Sequence, residues 1–277
     1  MARITDKMRQ DVQTQAEQFL AENGFITPPL SPEEALSARK LEVTQLSLDD
    51  LLVKANLRSE EQVKIQAVLD IEERAITFKS GLPLPKRNWG SLHEIGHEYL
   101  PWHREVLYYC PLLWLPISIQ KQIEAEADVF AAESLFFGSK FSKLVNDGEF
   151  GLATAKELAD DVYKTSYHAT FMRLAESSEI PCCLLVWRPI EKPETLSISN
   201  NLRLHYYTPS KNFRIHFPPN QDADDEVILG LYEDSSPGII KHTLQLETKD
   251  GKKLVAQAES FSNSYNVFTL VTNPSLS

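Results

Sequence analysis

The sequence predicts an α+β protein: a mainly helical first domain holding a small β-hairpin or sheet, then a helical segment, then a β-rich C-terminal domain. Three observations predict it. Apolar residues recur at helical spacing near the N-terminus, the period shortens to an alternation over residues 66–79, and from Cys182 onward short apolar runs are separated by Pro, Asn, Asp and Gly. The expected divisions are a first domain over 1–150, a helical connector over 151–180 and a β-rich domain over 181–277.

The first helix is expected from about Thr5 to Glu22, with Met8, Val12, Ala16, Phe19 and Leu20 on one stripe and Gly24 as the stop. Ser31-Pro32-Glu33-Glu34 announces a second helix: serine caps, proline suits the first turn, and glutamate three places on completes a capping box. Val68, Ile71 and Ile76 then alternate with charged residues, which predicts a hairpin turning near Glu72-Glu73-Arg74. Such a strand pair can be structural or can bind an extended peptide by strand addition. Pro101, Pro111 and Pro116 forbid one continuous helix, so the aromatic-rich segment between them must fold back, as core packing or as a substrate wall. Residues 160–179 read as one more helix, in which His168 is structural. Strands are expected at 183–187, 202–207, 213–217, 227–232, 243–247 and 267–271. The acidic run 221–226 lacks the ordered spacing and glycine of a calcium loop and reads as solvated.

Composition excludes several classes. Hydrophobic residues make up 42% of the 277 and charged residues 24%, ordinary values that indicate neither disorder nor a membrane protein. The net charge of -11 disfavours direct binding to a phosphate backbone, and with it a direct transcription factor, while suiting a basic protein partner. Residues 1–23 hold no apolar core of a signal peptide, and Cys110, Cys182 and Cys183 are too few for a disulfide framework, so a cytoplasmic location is expected.

The most informative residues are His93-Glu94-Ile95-Gly96-His97, an H-E-x-x-H sequence. On a helix the two histidines lie one turn apart on one face and can converge on a divalent metal ion, zinc by default, with Glu94 beside the metal as general base. A catalytic zinc site needs a third protein ligand. The expected one is Glu124, in a helical run where Asp128 follows one turn later and can accept a hydrogen bond from a liganding histidine; Glu126 is expected to face solvent. The alternative is His103, which completes the histidine spacing of the metzincin motif. That motif's glycine is replaced by Leu100, followed by Pro101, and Met1, Met8 and Met172 supply no evident Met-turn. His103, Tyr108 and Tyr109 are candidate donors to an oxyanion.

Residues 87–97, Arg87-Asn88-Trp89-Gly90-Ser91-Leu92-His93-Glu94-Ile95-Gly96-His97, resemble the R-x-x-F-T-x-A-H-E-x-G-H segment of the ImmA/IrrE metallopeptidases, and 124–133 resemble their E-x-x-A-N/D-x-F-A-A-E segment. The resemblance covers about the first half of the chain. It implies zinc held by His93, His97 and Glu124, Glu94 as catalytic carboxylate, and site-specific cleavage of a helix-turn-helix transcriptional repressor that derepresses stress-response or mobile-element genes. Trp89, Leu92 and residues 134–138 depart from the family pattern, at positions of packing more than chemistry. Some family members carry a GAF-like sensory domain at the C-terminal end; no residues here establish that fold, and a sensory or partner-binding role is expected. The competing expectation is a metal-dependent regulatory protein that recognises a partner without cutting it.

Overall fold

The computed structural model describes residues 4–54, 66–109, 115–190, 202–234 and 238–276. The chain divides into two compact units, Met1–Lys140 and Phe141–Ser277. Helix and strand combine as an α+β architecture, with the larger sheet in the C-terminal unit. Among the described residues no helix is long and apolar enough to cross a membrane.

In the first unit, helix α1 (Asp6–Glu22) begins at Thr5, whose hydroxyl accepts from the Met8 amide, and buries Val12, Ala16, Phe19 and Leu20. Helix α2 (Pro32–Ala38) begins at Ser31, whose hydroxyl accepts from the Glu34 amide. Strand β1 (Glu42–Leu46) and helix α3 (Leu48–Lys54) follow. The expected hairpin is present as β2 (Ala67–Asp70) and β3 (Ala75–Lys79), and its turn ends at Arg74 with φ +52°. β3 is central: it pairs antiparallel with β2 and parallel with β1, a partner the alternation did not disclose. Being covered, β3 buries Ala75, Ile76, Thr77 and Phe78 in succession.

Helix α4 (Leu84–Tyr99) packs on this sheet so closely that a Cβ at Gly90 would stand 3.1 Å from the Phe78 ring. Helices α5 (Pro101–Tyr109) and α6 (Ile117–Phe136) complete the unit. α6 lies against both α4 and α1, with the rings of Phe19 and Phe130 5.4 Å apart. Buried Glu98 clamps α4 in place: Arg39 at the end of α2 donates from Nε and Nη2 at 2.8 and 2.9 Å, and Arg74 from the hairpin turn stands at 3.4 Å.

In the second unit, helix α7 (Gly138–Asp147) runs in from the first, then come α8 (Leu152–Glu157) and a π-helical turn over Leu158–Tyr163. The single helix expected over 160–179 is therefore broken. Lys164 turns left-handed at φ +53°, and Ser166 caps a new helix, α9 (Tyr167–Ser177), through the Ala169 amide. A five-stranded antiparallel sheet follows in the order β5-β4-β8-β7-β6, built from β4 (Cys182–Pro189), β5 (Leu202–Pro209), β6 (Ile240–Glu247), β7 (Lys253–Ser262) and β8 (Val267–Leu276). β4 is apolar from Cys182 to Trp187 because both faces of that run are covered: Cys183, Leu185 and Trp187 join a core with Phe213, Phe217, Ile228 and Leu231, and α9 packs on the strand as well.

Two expected strands take other forms. Residues 213–217 are a loop whose Phe213 and Phe217 plug the core, and residues 227–232 lie in helix α10 (Glu226–Asp234), whose Val227 and Ile228 amides are capped by Asp225. Asp225, His242 and Ser260 also fall in a row, with His242 Nδ1 3.6 Å from the carboxylate and Nε2 2.9 Å from the hydroxyl. Ser260 is wholly buried and hydrogen-bonded to Thr269, so this row ties the sheet together and offers no nucleophile to a substrate.

Candidate metal centre

The site lies where α4 and α6 cross. Gly96 permits that crossing: a Cβ there would meet Phe130 Cδ1, Cβ and Cγ at 3.1, 3.2 and 3.3 Å. The close approach sets Glu124 opposite the His93 and His97 pair. Nε2 of His93 lies 3.1 Å from Nε2 of His97 and 3.3 Å from Glu124 Oε2, and His97 Nε2 lies 3.5 Å from Glu124 Oε1. Of the residues expected to bind metal, His93, His97 and Glu124 come together, one donor atom from each within 4.8 Å of the others.

The spacing and chemistry of these donors fit a small divalent ion. Bonds of about 2.0–2.2 Å in a tetrahedral arrangement separate neighbouring donors by about 3.3–3.6 Å; the two imidazole nitrogens stand 3.1 Å apart, with Glu124 Oε2 3.3 Å from one and Oε1 3.5 Å from the other, close to that spacing. Two imidazoles and a carboxylate suit zinc or another transition metal rather than calcium or magnesium, which prefer all-oxygen sets.

Electrostatics agree with a site built for a cation. Burial disfavours a charged His93, but hydrogen bonds with Asp128 and Glu124 outweigh it and raise its pKa to about 10. Burial lowers that of His97 to about 4, which keeps it in the neutral form a metal requires. Burial would raise the Glu124 carboxyl, yet its bonds with His93 and His97 hold it well below the usual carboxylate range. Glu94, half-buried beside them, is pushed up to about 7 by burial, with the His93 charge opposing and Glu124 adding to the rise. Its carboxylate is thus poised to exchange a proton near neutrality.

Asp128 stands one turn beyond Glu124 and takes up His93 Nδ1 at 3.0 Å, on the exposed rim of the site. His103 is not among the converging donors. α4 stops at Leu100, which is extended because a proline follows, and Pro101 starts α5 at once. The new helix swings His103 under His97, where it is fully buried with Nδ1 3.2 Å from His97 Nδ1 and Nε2 2.8 Å from Glu126 Oε2.

Glu126 corrects the sequence expectation: it is 2% exposed rather than solvated. It faces the interior because α5 returns against that side of α6, bringing Trp102 Nε1 to 2.6 Å, while Gln122 one turn back donates at 2.9 Å. The available sequence signal was the adjacent pair Trp102-His103, two ring donors placed just after a helix start and in need of an acceptor. The side chains of Tyr108 and Tyr109, and residues 110–114, lie outside the described residues.

No protein-family model and no curated protein matches the chain. Among solved structures, a Mycobacterium tuberculosis transcriptional regulator is similar over 95% of this chain and 76% of its own, with a TM-score of 0.58 and 12% sequence identity. At that identity the likeness is one of fold.

Proposed function

We propose that this chain is a zinc-dependent endopeptidase that cuts a helix-turn-helix transcriptional repressor at one site. The observation that carries the reading is the convergence of His93, His97 and Glu124, one donor atom from each within 4.8 Å of the others, with Glu94 on the same helix turn as His93. His93, His97 and Glu124 would hold a zinc ion, which would supply Lewis acidity towards a water and a scissile carbonyl. Glu94 accepts the proton released as water attacks and delivers it to the departing amine nitrogen, a transfer suited by a carboxyl pKa of about 7. Asp128 holds the His93 ring by its outer nitrogen. Glu124 and Asp128 are 45% and 59% exposed while His97 is 4%, so substrate approaches from the Glu124 side. The free edge of β2, at the border of the described sheet, offers an extended peptide backbone partners.

The repressor as substrate rests on the resemblance of residues 87–97 and 124–133 to the ImmA/IrrE peptidases, and a net charge of -11 suits a basic DNA-binding partner. The Mycobacterium tuberculosis protein of similar fold is called a transcriptional regulator, in keeping with a regulatory role. A second reading, a metal-dependent regulator that binds its partner without cutting, shares all of this except a need for Glu94. The test is incubation of the zinc-supplied protein with a repressor encoded beside it, followed by mass spectrometry. Two fragments from wild type and none from Glu94→Gln, with casein left largely intact, support the peptidase. Binding without cleavage by both supports the regulator, and many-site digestion of casein indicates a general protease.

A further inference from the structure

His93 and His97 are both held at the ring nitrogen turned away from Glu124, but by different groups. His93 Nδ1 meets a carboxylate directly at 3.0 Å, on a rim where Asp128 is 59% exposed. His97 Nδ1 instead meets another imidazole, and the carboxylate lies one step further on. We propose that His103 and Glu126 form a buried relay that fixes the His97 ring as a metal ligand, with His103 a positioning residue rather than a ligand. The inference rests on His93, His97 and Glu124 forming a metal centre.

The proton positions follow from the donors and acceptors around Glu126. The Trp102 indole and the Gln122 amide nitrogen can only donate, at 2.6 and 2.9 Å, so the carboxylate accepts from both. It accepts from His103 Nε2 at 2.8 Å as well, so a neutral His103 ring carries its proton there and presents a lone pair at Nδ1. Facing it at 3.2 Å, His97 Nδ1 must carry the hydrogen. The His97 lone pair is thereby forced to Nε2, the atom directed at His93 Nε2 and Glu124.

Burial makes the relay restrictive. Relative exposures of 3% for His97, 0% for His103 and 2% for Glu126 keep bulk solvent from compensating a mismatch. The opposite His97 tautomer would set two lone pairs face to face in that interior, at the full cost of unsatisfied buried polar atoms. Both His103 nitrogens are already engaged, so neither can bind the metal. The Leu100-Pro101 break that removes the metzincin turn is what delivers His103 to this position.

The experiment titrates zinc into the full-length metal-free protein in competition with a chromogenic chelator, for wild type, His103→Phe, His103→Gln and Glu126→Gln. Loss of an outer partner typically weakens a zinc site about 10–100-fold, so His103→Phe and Glu126→Gln are expected to bind that much more weakly. His103→Gln, whose amide both accepts and donates, recovers most of the affinity. Nitrogen-15 spectra of the zinc-loaded wild type add a second readout, expected to place one proton on His97 Nδ1 and one on His103 Nε2. A folded His103→Phe within twofold of wild type, a His103→Gln as weak as His103→Phe, or a wild-type His103 protonated at Nδ1 overturns the relay. If His103→Phe does not fold, the wild-type spectra decide. Failure of wild type itself to take up zinc overturns the metal centre, an outcome distinct from wild-type binding that the variants leave unchanged.

Discussion

Zinc added to the metal-free protein at pH 7 is expected to expel about one to one and a half protons. With its pKa raised to about 10, His93 is almost wholly protonated at that pH and must surrender one proton to become a ligand. His97, lowered to about 4, is already neutral and contributes nothing. Glu124 is already ionised, its carboxyl held below the usual range by the two histidines. Glu94, pushed up to about 7, is half protonated, and a dication beside it drives off the remainder, at most about half a proton. Affinity therefore rises with pH, by roughly tenfold to thirtyfold per unit around pH 7, and the rise flattens as pH approaches the His93 value. Calorimetry in two buffers of different ionisation enthalpy reads the release directly, and Glu94→Gln is expected to reduce it to about one. Zinc binding with no proton release and an affinity independent of pH between 6 and 8 would refute this account of the site's charge.

Other perturbations test the framework and the chemistry. Gly96→Ala would place a methyl 3.1–3.3 Å from three Phe130 carbons, so separation of α4 from α6 should cost about 1–3 kcal/mol in urea unfolding and weaken zinc binding together. Stability lost without loss of zinc affinity would mean that the crossing does not set the position of Glu124. Glu98→Ala strands the Arg39 guanidinium, itself 23% exposed, and is expected to cost about 1–3 kcal/mol, less than a fully buried pair because solvent reaches the arginine; a smaller change would remove Glu98 as the clamp of α4. Glu94→Gln should still hold one zinc per chain, more weakly than wild type for want of the carboxylate beside the ion, while peptide cleavage falls about 10²- to 10⁴-fold, and near-normal turnover by the folded variant would exclude it as the base.

The parts of the site written in short-range spacing are legible in the sequence alone. His93 and His97, and Glu124 and Asp128, are pairs four residues apart, and a helix by itself puts each pair on one face. Likewise the apolar stripe from Met8 to Leu20, the cap at Ser31 and the 66–79 alternation disclose α1, α2 and the hairpin. What stays hidden depends on distant chain. Glu126 lies on a different side of α6 from Glu124, and whether that side is wet is decided by α5 returning from Pro101. Val227 to Tyr232 has strand-like composition, yet the Asp225 cap and the buried Ile228 and Leu231 make it a helix. Strand β7 escapes the pattern because its inward positions include Ala256, Ala258 and Ser260, too small and polar to register as an apolar alternation. Only the pairing with β6 and β8 reveals it.

Zinc content measured on the purified, refolded and dialysed protein decides whether His93, His97 and Glu124 hold one metal ion. One zinc per chain in wild type and in Glu94→Gln, with loss in His93→Ala and in Glu124→Gln, is the predicted result. Zinc retained at full stoichiometry by a folded Glu124→Gln, or absent from wild type under zinc-replete conditions, would contradict it.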